Sequence, residues 1–177
     1  MNNNRIIKIA ITGPESTGKS TLSADLAEHY QTVYVPEFAR DYIDRLNRPY
    51  NQDDILEIAK GQLREEKRIS GFANKLIFCD TELIVTKIWS DVKYGKCDPW
   101  ILKNITENTY DLFLLCNIDL PWEEDPQREH PHMREKLLKL YVDELIHRGL
   151  PYKVVSGTGE QRLKNAIGFV ESVLDNL

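Results

Sequence analysis

The sequence is poor in cysteine, and the few cysteines show no functional spacing. Three occur among 177 residues, at Cys79, Cys97 and Cys116, and none forms the C-x-x-C pattern of a metal or redox site. Cys79 and Cys116 end apolar runs, so we interpret them as small core residues. A disulfide scaffold is excluded, and we expect a protein of the reducing cytoplasm.

Long apolar runs and an excess of basic charge are also missing. No run approaches the length that spans a bilayer, which argues against a membrane protein. Twenty-three basic residues against 28 acidic ones give a net charge of −5, which argues against nucleic-acid binding. The segment Met1–Arg5 leads directly into the first predicted strand and leaves no room for a signal peptide. With 41% hydrophobic residues, residues 1–177 are predicted to form one domain; the oligomeric state is left open.

The segment Gly13–Thr21 has a glycine-rich pattern with a strong chemical meaning. It fits G-x-x-x-x-G-K-[ST] at every fixed position, between a predicted strand at 6–11 and a predicted helix at 20–30. Backbone N–H groups of such a loop cradle phosphates, Lys19 supplies a cation, and the Ser20 hydroxyl suits Mg²⁺. We therefore expect ATP with Mg²⁺, the triphosphate being held by Gly13, Glu15, Ser16, Thr17, Gly18, Lys19, Ser20 and Thr21.

Apolar runs alternate with helical periodicities along the whole chain, which predicts an α/β fold with a five-stranded parallel sheet in three layers. Strands are predicted at 6–11, 32–35, 75–79, 111–116 and 152–155. Helices are predicted at about 20–30, 38–47, 52–70, 82–92 and 99–108, then from about 133 and from 160. We expect the third strand beside the first and the second outside it, with ligands at the carboxyl ends of the strands.

Two acids follow predicted strands and are candidates for the chemistry. Asp80, after the third strand, is predicted to order Mg²⁺ together with Ser20; the alternative is a helix cap. Glu37, after the second strand, is predicted to accept the proton of a substrate hydroxyl; the alternative is that Glu37 and Asp41 favour the positive end of a helix. Which acid acts as the base is left open. Thr158, after the fifth strand, is a further candidate for nucleotide binding.

The stretch at about 117–134 is polar, contains proline and is longer than a routine connection, which is typical of a lid. Arg128 and Arg134 are predicted to fold over the phosphates and to neutralise charge during transfer. The alternative is a solvated loop. Trp89 and Trp100 offer flat apolar surfaces for a planar base, although such residues are more often core.

Four blocks of residues together resemble a known family, the ribosylnicotinamide kinase domain of NadR-type proteins. The likeness covers nearly the whole chain in matching order. The blocks are Gly13–Ser20, Pro36–Tyr42, Phe78–Leu83 with Thr86–Lys87, and Tyr110–Leu115 leading to Pro121–Trp122.

This resemblance implies a P-loop kinase fold and transfer of the ATP γ-phosphate to the 5′-hydroxyl of nicotinamide riboside. The implied catalytic residues are Lys19, Glu37, Asp80 and Arg128. The implied acceptor side comprises Glu37, Arg40, Asp41, Tyr42, Trp89 and Trp100. Two other functions stay open: a kinase for another nucleoside or small alcohol, and a nucleotide-dependent regulatory ATPase that acts as a switch.

Overall fold

The structure is a computed structural model that describes residues 5–176; the signal-peptide expectation rests largely on Met1–Asn4, which lie outside the described residues. The strands are β1 (Ile7–Thr12), β2 (Val33–Val35), β3 (Leu76–Asp80), β4 (Leu112–Cys116) and β5 (Tyr152–Val155). The helices are α1 (Lys19–His29), α2 (Phe38–Asp44), α3 (Gln52–Ser70), α4 (Leu83–Tyr94), α5 (Pro99–Glu107), α6 (Arg134–His147) and α7 (Gly159–Leu174). Within residues 5–176, none of the helices combines the length and apolar character needed to cross a membrane.

The five strands form one parallel sheet in the order β2-β3-β1-β4-β5. This confirms the predicted α/β class and the expected position of β3 beside β1 with β2 outside it. The register pairs Ile11 with Asp80, so the end of β3 lies next to the end of β1. Because all strands are parallel, the segments that leave their carboxyl ends meet at one edge of the sheet.

Helices cover both faces of the sheet and give it three layers. On one face, Ile9 and Ile11 pack with buried residues of α1 and α7. On the other face, Ala10 and Ile77 pack with buried residues of α3, α4, α5 and α6. Alternate residues of β1 thus enter different cores, which explains its continuous apolar run. Cys79 and Cys116 are fully buried in these cores, as interpreted from the sequence.

Most predicted elements are confirmed, with differences at their ends. The side chain of Asn51 caps α3 in a reciprocal capping box, and the side chain of Asp98 caps α5, as the sequence indicates. Helix α2 ends at Asp44 rather than at 47. The inward face of α7 consists of the buried Arg162, Ala166 and Val170, with Leu163, Ile167 and Leu174 partly buried beside them.

Candidate active site

A cleft of about 340 Å³ opens at the carboxyl edge of the sheet. Its floor is the loop between β1 and α1. One wall comes from the start of α2 and from α4 and α6. The segment between β4 and α6, which was predicted as a lid, covers the cleft. Residues from the different strand ends therefore share one cavity, as parallel topology requires.

The loop from Gly13 to Gly18 has the geometry of a phosphate cradle. Gly13 has a φ of 132°, and a Cβ there would lie 2.9 Å from the carbonyl oxygen of Cys116, so glycine is required. Lys19 Nζ donates to the carbonyl oxygens of Gly13 (3.0 Å) and Pro14 (2.8 Å). The ammonium is thus held across the mouth of the loop, where a phosphate oxygen can replace the carbonyls as its partner.

Asp80 ends β3 beneath this loop and is almost completely buried, with 1% of its surface exposed. Burial, followed by the nearby Glu37 carboxylate, raises the pKa of Asp80 to about 6, while a hydrogen bond with Ser20 opposes the shift. Among the described residues, Asp80 Oδ1 has no hydrogen-bond partner. An orphaned buried carboxylate oxygen beside a hydroxyl fits Mg²⁺, which takes one or two protein oxygens and completes its shell with phosphates and water. In keeping with this, residues 5–176 contain no cluster of three or more His, Cys, Asp or Glu that would hold a metal.

Helix α4 is capped by Glu82 and not by Asp80, which removes the alternative interpretation of Asp80. Glu82 accepts a hydrogen bond from Ile84 N (2.6 Å) and one from the hydroxyl of Thr12 (2.9 Å) at the end of β1. Burial raises the pKa of Glu82 to about 7 against these hydrogen bonds. Glu82 therefore ties α4 to the start of the phosphate loop, a role that the sequence did not reveal.

Glu37 lies at the mouth of the cleft, at the N-cap position of α2. Its carboxylate makes no capping hydrogen bond to that helix. Its negative charge is one of the causes that raise the pKa of Asp80 and the pKa of Arg40, so its carboxylate lies near both groups. Unlike Asp80, it is partly exposed and lines the cavity.

Only part of the predicted acceptor side on α2 reaches the cleft. Arg40 lines the cavity and donates to Asp125 of the lid (2.8 Å). Neither Asp41 nor Tyr42 is among the described residues that line the cavity, and their contact with substrate stays a prediction. Asp41 is exposed beside Arg45, and Tyr42 donates to Asp54 of α3 (2.9 Å). Neighbouring positions of a helix point in directions about 100° apart, so three consecutive residues cannot all face one cavity.

The segment between β4 and α6 lies over the cleft and is fastened to the phosphate loop. The Glu15 carboxylate accepts hydrogen bonds from the backbone N–H groups of Glu129 (3.2 Å) and His130 (2.9 Å). Ser16 Oγ accepts one from Glu123 N (2.8 Å). Glu15 and Ser16, both predicted to bind nucleotide, thus use their side chains to hold the lid.

The two lid arginines differ in surroundings. Arg128 lines the cavity and donates to the carbonyl oxygen of Glu123 (2.6 Å) and to Ser16 Oγ (3.4 Å). Arg134, the first residue of α6, donates to the carbonyl oxygens of Ser16 (3.0 Å) and Leu120 (2.9 Å). Arg134 does not line the cavity in the described chain. Arg128 therefore borders the cavity beside the phosphate loop, whereas Arg134 contacts the backbone of that loop.

Of the two predicted tryptophans, Trp89 is among the described residues that line the cleft and Trp100 is not; Trp100 lies on α5, near Lys60, and its contact with a base stays a prediction. Trp89 Nε1 donates to the hydroxyl of Tyr50 (2.9 Å), and the two rings meet edge to face at 4.9 Å. Thr158 is likewise not among the described lining residues, although the adjacent Gly159 is.

Sequence reasoning missed Tyr50 and Arg162. Tyr50 stands in a short polar connection without any motif. Arg162 is 5% exposed and donates to the carbonyl oxygen of Thr17 (2.8 Å) and to Asp119 (2.7 Å), so it joins α7 to the phosphate loop. Its four-residue spacing to the buried Ala166 was the available signal, but a charged residue on an inward stripe is easily taken for a surface position.

Comparison with known proteins agrees with this geometry. Residues 8–162 match the family model AAA_28, described as an AAA domain. The chain is 32% identical over 126 residues to the trifunctional NAD biosynthesis/regulator protein NadR of Escherichia coli strain K12, covering 68% of this chain and 30% of that protein. The chain thus spans about a third of the length of this curated relative.

Solved structures show the same fold. A crystal structure of NadR protein in complex with NR superposes with a TM-score of 0.81 at 23% identity, covering 95% of this chain and 50% of that one. Deoxyadenosine kinase from M. mycoides superposes with a TM-score of 0.66 at 17% identity, covering 97% of this chain and all of that one. The chain therefore shares the fold of these proteins.

Proposed function

We propose that this chain, which belongs to the AAA_28 family of AAA domains, is a kinase. It transfers the ATP γ-phosphoryl group to the 5′-hydroxyl of a nucleoside. The observation that carries this proposal is the content of one cleft. The phosphate loop lines one side of the cleft, with Asp80 buried behind it, and Glu37 and an apolar aromatic wall line the other side. A nucleotide-binding switch requires the first side only.

On the phosphate side, the residues bind and neutralise. The N–H groups of the loop and the start of α1 bind the β- and γ-phosphates, while Lys19 exchanges its carbonyl partners for phosphate oxygens. Ser20 and Asp80 would hold Mg²⁺, which supplies positive charge to the phosphates. Arg128 reaches the same region from the lid and stabilises charge on the transferring group.

On the acceptor side, Glu37 is placed to orient the hydroxyl and take its proton. The proton transfer requires a carboxylate within hydrogen-bond reach of the hydroxyl, and Glu37 is the partly exposed acid on this wall. Asp80 is buried under the loop and is better suited to metal than to substrate. Arg40, held by Asp125, lies beside Glu37 and keeps the lid close to the acceptor.

The wall between α4 and α6 offers a place for a planar ring. Its side chains are Tyr50, Val85, Ile88, Trp89, Val92, Leu137 and Tyr141. Apolar and aromatic surface with a few polar groups suits a flat, weakly polar base. We propose that the nucleoside base lies here and that the ribose points towards Glu37.

Nicotinamide riboside is our proposed acceptor. The proposal is supported by the resemblance of the four sequence blocks, by the relationship to the NAD biosynthesis/regulator protein and by the fold shared with a NadR structure in complex with NR. The product would be nicotinamide mononucleotide, as in salvage of pyridine nucleotides.

An assay of ADP release against a panel of nucleosides tests the proposal. With ATP and Mg²⁺, we expect release to depend on nicotinamide riboside and to exceed that with adenosine, cytidine, thymidine or glycerol. Release that prefers another member of the panel would change the acceptor and keep the kinase. Release that is independent of every acceptor would favour the regulatory ATPase and contradict the proposal.

A further inference from the structure

The side chain of Gln62, on α3, contacts the backbone on both sides of Glu37. Gln62 is 2% exposed. Its Oε1 accepts a hydrogen bond from Phe38 N (2.8 Å), and its Nε2 donates to the carbonyl oxygen of Pro36 (3.4 Å). Nε2 also lies 3.4 Å from the carbonyl oxygen of Asp80, to which it donates. One amide therefore links the two segments that carry Glu37 and Asp80.

This contact gives the first N–H of α2 a partner from outside the helix. Phe38 is the first residue of α2, and the N–H groups of a first helical turn lack partners inside the helix. The side chain at the N-cap position normally accepts from the second or third helical N–H and leaves the first one unserved. Here the N-cap residue is Glu37, whose side chain makes no such bond. Gln62 meets part of this need from outside the helix.

The neighbouring residue on α3 fixes the same segment by close packing. A Cβ on Gly61 would lie 2.1 Å from the Phe38 ring, so the ring rests directly on the backbone of α3. Gly61 and Gln62 together form a rigid seat for residues 36–38. The carboxylate of Glu37 projects from a backbone that is held on both sides.

We propose that Gln62 is a positioning residue for the acceptor-side carboxylate. By bonding Phe38 N and Pro36 O, it holds the backbone on both sides of Glu37, and by bonding the carbonyl oxygen of Asp80 it fixes that backbone relative to the second acid. This inference rests on the proposed function of Glu37. It predicts that loss of the Gln62 amide lets residues 36–38 shift relative to Asp80 and moves the Glu37 carboxylate away from the acceptor.

The test is a double-mutant cycle on turnover. Gln62→Met keeps the volume and removes both hydrogen-bonding groups. We expect it to lower kcat with nicotinamide riboside about tenfold, with ATP affinity, measured by direct titration, near that of the wild type. In a Glu37→Gln background the same substitution should have little further effect, because the group that it positions is already lost.

Ile58→Ala is the matched control. Ile58 lies one turn earlier on α3 and is equally buried, so its truncation weakens the helix without removing a hydrogen bond to residues 36–38. A Gln62→Met loss that persists undiminished in the Glu37→Gln background, or that Ile58→Ala reproduces, would overturn the inference.

If Glu37→Gln alone turns over like the wild type, the proposed role of Glu37 fails, and this is seen without any Gln62 variant. Amide exchange then still tests the cap: Phe38 N–H should exchange about tenfold faster in Gln62→Met, and unchanged exchange contradicts it.

Discussion

The two acids of this site differ in their solvent exposure. Asp80 is almost completely buried, and its pKa rises to about 6 because burial disfavours the charged form. A cation beside Oδ1 would reverse that preference. Glu37 keeps contact with the cavity, where a proton can enter and leave. The two carboxylates therefore have different environments, which suits them to the different roles that we propose for them.

Lys19→Ala is expected to lower kcat by about a hundredfold or more, because the ammonium stabilises charge that develops on the phosphates. The bonds of Lys19 in the structure go only to loop carbonyls, so the fold should be retained. Steady-state kinetics and circular dichroism measure the two effects. Lys164→Ala, an exposed lysine paired with Glu160 on α7, is the control. More than a few per cent of turnover left in Lys19→Ala would contradict the role.

Asp80→Asn is expected to raise the Mg²⁺ concentration at half-maximal activity by about tenfold or more, since the amide keeps the shape but loses the charge that orders a cation. Asp98→Asn is the control, because Asp98 caps α5 far from the loop. A magnesium titration of Asp80→Asn that overlays the wild type would remove the metal role.

Glu37→Gln separates the two acids: it should cut kcat strongly and leave ATP binding unchanged. If Glu37→Gln keeps its turnover and Asp80→Asn loses turnover without losing metal affinity, the assignments are reversed.

At the scale of elements, the lid and the phosphate loop form one hydrogen-bonded unit. Backbone groups of residues 123, 129 and 130 bind side chains of Glu15 and Ser16. A second set of contacts holds the lid to α4, where Glu129 accepts from Lys93 and from Tyr50, each at 2.8 Å. The lid therefore has hydrogen-bond partners on two sides, the phosphate loop on one and Lys93 with Tyr50 on the other, and a ligand that enters the cleft passes it.

Different losses are expected from the two lid arginines. Arg128→Ala should lower kcat by about a hundredfold with a smaller change in the KM for the acceptor, because Arg128 lines the cavity. Arg134→Ala should also lower the melting temperature, since it leaves the carbonyl oxygens of Ser16 and Leu120 without their guanidinium partner. Arg64→Ala on α3 is the surface control. Unchanged kinetics in both lid variants would exclude the lid from the mechanism.

The start of α3 gives a prediction about pH. The guanidinium of Arg48 is the main cause that holds the pKa of Asp54 well below its usual range, with help from Asn51 N and the Tyr42 hydroxyl. A depressed folded pKa means that this stabilisation is present above about pH 4 and is lost as pH falls further. Asp54→Asn should therefore cost about 1 to 2 kcal/mol at pH 7 and progressively less below pH 4. Urea denaturation of the wild type and of Asp54→Asn, at pH 7 and at a pH below 4, measures this difference in the free energy of unfolding. A gap that stays constant with pH would contradict the ionic origin, and Asp53→Asn, exposed one residue earlier, is the control.

At the scale of the whole molecule, the sheet order decides which residues meet. Because β3 lies between β1 and β2, Asp80 comes next to the phosphate loop and Glu37 lies one strand further out. The two acids thus leave neighbouring strands at the same edge of the sheet, with the backbone spacing of adjacent strands between these strand ends. Helices on both faces bury the sheet and keep this spacing fixed.

The sequence by itself determined the elements and the phosphate side. Periodicity located the strands because those of a parallel sheet are buried on both faces, and the loop motif is local, with every contacting atom within a few residues. Asn51 and Asp98 were recognisable as caps for the same reason, since a cap bonds to its own helix.

Only the tertiary structure decided the acceptor side. Whether Trp89 or Trp100 lines the cleft depends on how α4 and α5 pack, and the direction of Asp41 and Tyr42 depends on the rotation of α2 against α3. The parts played by Tyr50, Gln62 and Arg162 rest on contacts between residues far apart in the chain, such as Arg162 with Thr17. Local patterns carry no record of such contacts, because their free energy comes from burial and partners that exist only once the chain has folded.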